Sequence, residues 1–270
     1  MTRDWLFCHL SGAGPRDLCG LLRSVPELRS PDTGTLWFFD RSRTGSGAHG
    51  LDLWFHSAPG TLREIGRLLG SGAVLPTAVA VVEYRDRPMN HPGTRGFDLA
   101  DQLADVSSRL AVGLAEGAPP SGDPLDLAVL HLRHLVGLVA ERDRSAFLFH
   151  CWQHWTAALE PAHRVDLGLR AELAAGPGPH ATIGPGPDAP AAWQEYVRAT
   201  QGLTSALAGA AEANFLLFDH ARRTHVRLAI PVSVAALAAR VVRAELSGSP
   251  IAGPVAPAAP AHSGSTLQSA

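Results

Sequence analysis

The chain has 270 residues, is 46% hydrophobic and carries a net charge of −2, which argues against a broad electrostatic surface for nucleic acid or anionic membrane. Its length suits one large domain or two small ones, with no need of covalent staples, and three widely spaced cysteines, Cys8, Cys19 and Cys151, argue against a disulfide framework. No apolar run approaches the roughly 20 residues of a membrane span, and the start lacks a signal-peptide pattern, so a soluble, cytoplasmic protein is expected.

The first third reads as strand, helix, strand, strand, helix, strand. Trp5 to Leu10 is a short apolar run, and Arg16 to Leu22 looks helical. Thr35 to Arg41 is aromatic-rich and fits a strand. A Gly/Ser loop runs from Ser42 to Gly50. Leu51, Leu53 and Phe55 then alternate with Asp52, Trp54 and His56, so one face of that strand is apolar and the other carries functional groups. Thr35 to His56 is therefore expected to form a hairpin. Thr61 and Glu64 have the spacing of a capping box, and Leu62, Ile65, Leu68 and Leu69 form a helical stripe. Val79 to Arg85 is β-branched and reads as a fourth strand.

From Phe97 the period becomes helical, with Leu99, Leu103, Val106, Leu110 and Leu114 on one face. Asp123 and Pro124 are an N-cap and a first-turn proline for a helix to about Ala140. Another helix is expected from about Arg144 to Leu159. Gly176 to Pro190 is a Pro/Gly loop. Asp188 and Pro190 start a helix that packs through Trp193, Val197, Thr200 and Leu207. The last helices run from about Glu212 to Thr224 and Ser233 to Leu246. Ser247 to Ala270 has little to bury and reads as a disordered tail. The expected fold class is α+β. A small antiparallel, ferredoxin-like sheet region occupies residues 1–96 and a mainly helical body residues 97–246.

Several residue groups invite chemistry. His220, Arg223 and Arg227 are spaced to share a helical face, with Arg222 and His225 beside it. The plain alternative is a solvated basic surface with an Asp219–Arg223 pair. Ser107 flanks the apolar stripe of its helix, and Tyr84 stands near a strand end. His131/His134 and His150/His154 have helical spacing for metal, with Cys151 between the latter two. No His-Glu-x-x-His or Cys-x-x-Cys accompanies them, so no metal is expected. Ser11-Gly12-Ala13-Gly14 lacks the following Gly-Lys-Ser of a phosphate loop, and a serine-hydrolase Gly-x-Ser-x-Gly elbow is absent.

Three segments carry a family resemblance. Trp37-Phe38-Phe39-Asp40-Arg41, a Gly-rich turn and His49 to His56 form the first. Val82-Glu83-Tyr84-Arg85, followed by Asp101 to Leu110 with Asp105, Ser107 and Ser108, forms the second. Asp219 to Pro231, followed by an apolar helix, forms the third. Their order, over roughly residues 4 to 246, resembles the C-terminal domain of the lantibiotic dehydratases, in the branch that builds the pyridine core of thiopeptides. The resemblance implies one of two activities. Elimination domains remove glutamate from glutamylated Ser or Thr. Pyridine synthases join two dehydroalanines in a formal aza-[4+2] cycloaddition, then lose water and the leader peptide.

Elimination domains carry Arg-x-Arg on the hairpin strand, where this chain has Asp52 and Trp54. They carry Glu-x-x-Arg on the next strand, where this chain has Glu83 and Asp86. An acid where a carboxylate must bind repels it and removes the bidentate donor. The expected function is therefore the cyclisation, without metal or cofactor, on a ribosomal precursor peptide comprising an acidic leader and a dehydrated, azole-bearing core. The alternatives are glutamate elimination and a non-catalytic precursor-binding module. The expected catalytic residues are Tyr84, His220, Arg223 and Arg227. The expected substrate contacts are Asp52, Trp54, His56, Ser107, Arg222 and His225. Arg16, Arg23 and Arg29 are open candidates for the leader. Replacing His220 or Arg227 by Ala is expected to leave the protein folded and to lower turnover by roughly 10²-fold.

Overall fold

A computed structural model of the chain describes residues 5–29, 34–43, 49–72, 79–84, 94–116, 123–174, 190–205 and 211–247. The first elements are β1 (Trp5–Ser11), α1 (Leu18–Ser24), β2 (Leu36–Arg43), β3 (His49–His56), α2 (Pro59–Gly70) and β4 (Val79–Tyr84). All three strand pairings are antiparallel, in the order β2-β3-β1-β4. With one helix after β1 and another after β3, this is the ferredoxin-like arrangement expected above, including the β2–β3 hairpin.

Alternation gives the sheet two unlike faces. Leu6, Cys8, Leu10, Trp37, Phe39, Leu51, Leu53 and Phe55 form one core with α1 and with Leu62, Ile65 and Leu69 of α2. The cap of α2 differs from the capping box expected at Thr61 and Glu64. Helix α2 begins at Pro59, which needs no donor in the first turn, and Ala58 is the N-cap. Glu64 turns instead to Arg67, with bonds of 2.9 and 2.7 Å.

The helical body comprises α3 (Thr94–Glu116), α4 (Pro124–Leu138), α5 (Arg144–Thr156), α6 (Pro161–Ala174), α7 (Ala191–Ser205), α8 (Ala211–Arg227) and α9 (Val232–Leu246). Asp123 caps α4 as expected, accepting the Leu125 N–H at 2.9 Å. Helix α6 had no counterpart in the sequence reading. Its Val165 and Leu169 are exposed while Leu167 and Ala171 are buried, so hydrophobicity does not mark a single face. Residues 248–270, the 175–189 stretch, Arg85, Asp86, Asp188 and Leu207 lie outside the described residues, so the tail and Pro/Gly-loop expectations do too.

Helix α3 joins the two halves. Its Ala111 and Val112 enter the sheet core, whereas Leu110 and Leu114 pack on Trp193 and Tyr196 of α7. A Cβ on Gly113 would stand 2.6 Å from that of Ala192, so this glycine lets α3 and α7 approach closely. Helix α3 also closes the β2 edge of the sheet. The Trp37 N–H donates to Asp105 Oδ1 at 3.1 Å and the Phe39 N–H to Ser108 Oγ at 3.1 Å. Edge amides that would otherwise recruit another strand are thereby occupied.

Candidate functional site

The second sheet face is polar and aromatic. Register places Asp40, Asp52 and His9 in one row and Phe38, Trp54 and Phe7 in the next, followed by Leu36, His56 and Trp5. Trp54 packs on Phe7 with ring centroids 4.7 Å apart, and Trp5 lies 4.9 Å from His56. Trp5, His9, Asp52, Trp54 and His56 are each half-buried.

Asp40 and Asp52 face each other across β2 and β3. Like charges in such a pair repel unless each is compensated, and each has its own partner. His9 Nδ1 meets Asp52 Oδ1 at 2.6 Å, and His9 Nε2 meets Ser11 Oγ at 3.1 Å. Arg227 Nη2 donates to Asp40 Oδ1 at 2.9 Å, with Arg223 Nη1 3.7 Å from the other oxygen.

The Arg227 guanidinium is wholly enclosed. Its Nε donates to the Phe39 carbonyl at 2.6 Å and its Nη1 to Ser107 Oγ at 2.8 Å. Burial lowers its pKa, and Asp40 opposes that shift. The end of α8 sets this position. Ala229 adopts a left-handed conformation (φ 58°), Ile230 N–H donates to the His225 carbonyl, and Ala229 N–H to that of Val226. That is a Schellman ending with alanine where glycine is usual.

Behind Arg227 lies a buried chain of aromatic polar groups. His225 Nε2 meets His131 Nδ1 at 3.0 Å, His131 Nε2 meets the Tyr196 hydroxyl at 2.7 Å, and that hydroxyl meets His220 Nε2 at 2.8 Å. Burial pushes the pKa of His220 and His225 down to about 3 and lowers that of His131. It pushes the Tyr196 phenol up. All four are therefore neutral near pH 7.

The structure thus brings much of the expected site together through a residue to which the sequence reading gave no role. Asp40 links Arg223 and Arg227 to the face that carries Asp52, Trp54 and His56, and Arg227 leads on to Ser107. His220 sits beneath, on Tyr196. His225 is buried between His131 and Trp155, whose ring centroid is 5.4 Å away. Arg222 is half-exposed and pairs with Asp219 at 3.2 Å. The Asp219–Arg223 pair is present at 2.7 Å, but His220 and Arg227 are buried, so a solvated basic face does not describe them. Tyr84 ends β4 opposite Leu6, and its side chain lies outside the described residues.

The paired histidines read for metal have other partners. His131 bonds in the chain above and His134 bonds Thr200 Oγ1 at 2.6 Å, while His150 and His154 flank Phe218. Among the described residues, no group of three metal-ligating side chains occurs, and no helix is long and apolar enough to cross a membrane. His9 and Tyr196 escaped the sequence reading, and His131 entered it only as half of a metal-spaced pair. His9 shows only as the strand partner of an already suspected Asp52. Tyr196 sits three residues from Trp193 on the packed side of its helix.

No family description matches the sequence, and no curated protein does. Solved structures do. The tRNA-dependent lantibiotic dehydratase MibB from Microbispora sp. 107891 matches over 91% of this chain with a TM-score of 0.61 and 17% identity. The chain spans only 28% of the length of MibB. The pyridine synthase TbtD from thiomuracin biosynthesis matches over 91% of this chain and 98% of its own, with a TM-score of 0.57 and 14% identity. TsrL matches over 90% and 95%, with a TM-score of 0.59 and 16% identity. The likeness read from the three sequence segments is thus present as a likeness of fold, and the fold of this chain is the one that MibB, TbtD and TsrL share.

Proposed function

We propose that this chain closes the nitrogen heterocycle of a thiopeptide-type product. Two dehydroalanines of a ribosomally made precursor join in a formal aza-[4+2] cycloaddition. Two carbon–carbon bonds form, water is lost, and the leader peptide departs as its carboxamide. Residues 1–246 are read as the working unit and the precursor peptide as its partner, without metal or organic cofactor.

The observation that carries this reading is the row of Asp40 and Asp52 beside Trp54 on the polar sheet face. Glutamate elimination needs cations for the glutamyl carboxylates. Here the corresponding strand positions hold a carboxylate already paired with His9 and an indole packed on Phe7. That face suits a flat azole-bearing peptide, through stacking on Trp54 and contact with His56. Holding both dehydroalanines in reacting geometry is worth roughly 7–11 kcal/mol. Arg222 and Arg223 rim the site and attract the departing oxyanion. Arg227 acts through Asp40 and Ser107, and His220 and His225 belong to the buried support. Tyr84 remains a proposed proton donor to the amide oxygen.

Mass spectrometry after incubation with a dehydrated, azole-bearing precursor tests this. Loss of water together with release of the leader as an amide supports the proposal. Loss of glutamate from a glutamylated precursor, or no change in either peptide, overturns it.

A further inference from the structure

The polar sheet face holds a histidine with the two partners that proton transfer requires. His9 lies on β1, one row from Trp54, with 24% of its side chain exposed. Asp52 accepts from Nδ1 at 2.6 Å, which fixes the proton there and leaves Nε2 as the basic atom. That atom faces Ser11 Oγ at 3.1 Å, a hydroxyl that substrate can replace.

The ring lies close against the backbone of β3. A Cβ at Gly50 would stand 3.2 Å from His9 Cε1 and 2.7 Å from the Leu10 carbonyl, so the neighbouring strand needs glycine there. By contrast, His131, His220 and His225 are almost fully buried. Charging any of them places a cation in a closed interior. His9 becomes an imidazolium beside an Asp52 carboxylate that is itself 32% exposed.

We propose that His9, oriented by Asp52, is the general acid–base group of this face, an assignment that rests on the ring-forming reading above. In the loss of water, Nε2 takes a proton from the ring CH₂ beside the C=N carbon of the cycloadduct. That C–H pair forms C=C, the C=N pair shifts to form C=N with the carbinol carbon, the C–O bond breaks, and Nε2–H returns the proton to the departing hydroxide. In the loss of the leader, Nε2 takes a proton from the ring CH₂ beside the carbon that carries the leader nitrogen. C=C forms, the C–N bond breaks, and the same proton passes to the leaving nitrogen as the carboxamide departs. His9 ends each step neutral. Asp52 is a positioning residue that also stabilises the transient imidazolium.

The test uses the full chain and a synthetic dehydrated, azole-bearing precursor, with circular dichroism confirming that each variant folds. His9→Gln and Asp52→Asn should each lower kcat by about 10²-fold or more with little change in KM. His9→Ala should regain turnover with added imidazole, a rescue that a purely structural histidine does not show. If wild type closes the ring and folded His9→Gln and Asp52→Asn do so at the same rate, the His9 assignment alone fails. If wild type forms no ring, the functional reading fails and this inference falls with it. A fluorophosphonate adduct on Ser11 that stops turnover also overturns the assignment, because it makes Ser11 a nucleophile and His9 its activator.

Discussion

Arg227 and Asp40 meet at 2.9 Å across the seam between α8 and β2, the cation fully enclosed and the carboxylate one-third exposed. The same guanidinium serves the Phe39 carbonyl and Ser107. Arg227→Ala should therefore cost about 3–5 kcal/mol of stability, contrary to the sequence-based expectation of a well-folded variant. Arg227→Lys should recover only part of this, since an ammonium lacks the planar fork that reaches three acceptors. Urea midpoints measure both, and an alanine variant within 1 kcal/mol of wild type contradicts the clamp.

Stability should fall in mild acid. His220 and His225 ordinarily titrate at 6.5 but are held near about 3 by burial, and His131 is lowered with them. Each therefore takes up a proton first in the unfolded chain. Stability is lost as pH falls below the unfolded value and continues to fall toward the folded one. The slope approaches about 1.4 kcal/mol per pH unit for each fully buried histidine. Above pH 7 these groups contribute no slope. Melting temperature should decline steadily from pH 6.5 to 4.5, and a flat profile would refute the buried neutral chain.

The β2 edge gives a third expectation. Burial raises the Asp105 pKa, with Arg109 opposing, and Asp105 accepts both the Trp37 amide and the Arg109 guanidinium at 2.7 Å. Asp105→Ala should cost roughly 3–5 kcal/mol, because the largely buried Arg109 keeps its carbonyl acceptors but loses its counter-charge. Ser108→Ala should cost roughly 1–3 kcal/mol, for one edge amide left unmet. Light scattering on the Asp105 variant should show association, since an exposed edge recruits strands. A monomeric, fully stable Asp105→Ala would rule this out.

Thiol reagents should not react with the native protein. Burial pushes the Cys8 thiol up to about 12, with the Asp52 charge adding to the shift, and raises Cys19 and Cys151. All three side chains are buried and free. Iodoacetamide at pH 8 should label them only at the rate of unfolding. Rapid labelling of any one cysteine in the folded protein would show that its surroundings open locally.

The sheet was legible strand by strand, from an apolar run in β1, aromatic enrichment in β2, period-two alternation in β3 and β-branched residues in β4. Asp52, Trp54 and His56 announce one polar face by alternation alone, and Asp123-Pro124 announces a helix start. Helix α6 was not legible, because Val165 and Leu169 point outward. The site was half legible. A spacing of i, i+3, i+7 groups His220, Arg223 and Arg227, but spacing cannot tell a buried face from a wet one. Whether Arg227 is solvated depends on Asp40, nearly two hundred residues earlier, and on the Phe39 carbonyl. His9 becomes visible only through the β1–β3 register.

The dependence of β2 on Arg227 also orders events at the ribosome. All four strands have been made once Tyr84 is added, and α3 follows within a few dozen residues. The guanidinium that completes the edge arrives roughly 140 residues after the sheet, about 7–30 s later at ordinary elongation rates. For that interval Asp40 lacks both of its arginine partners, whereas Asp52 already has His9. The β2 edge is therefore expected to be completed only after α8 has been made.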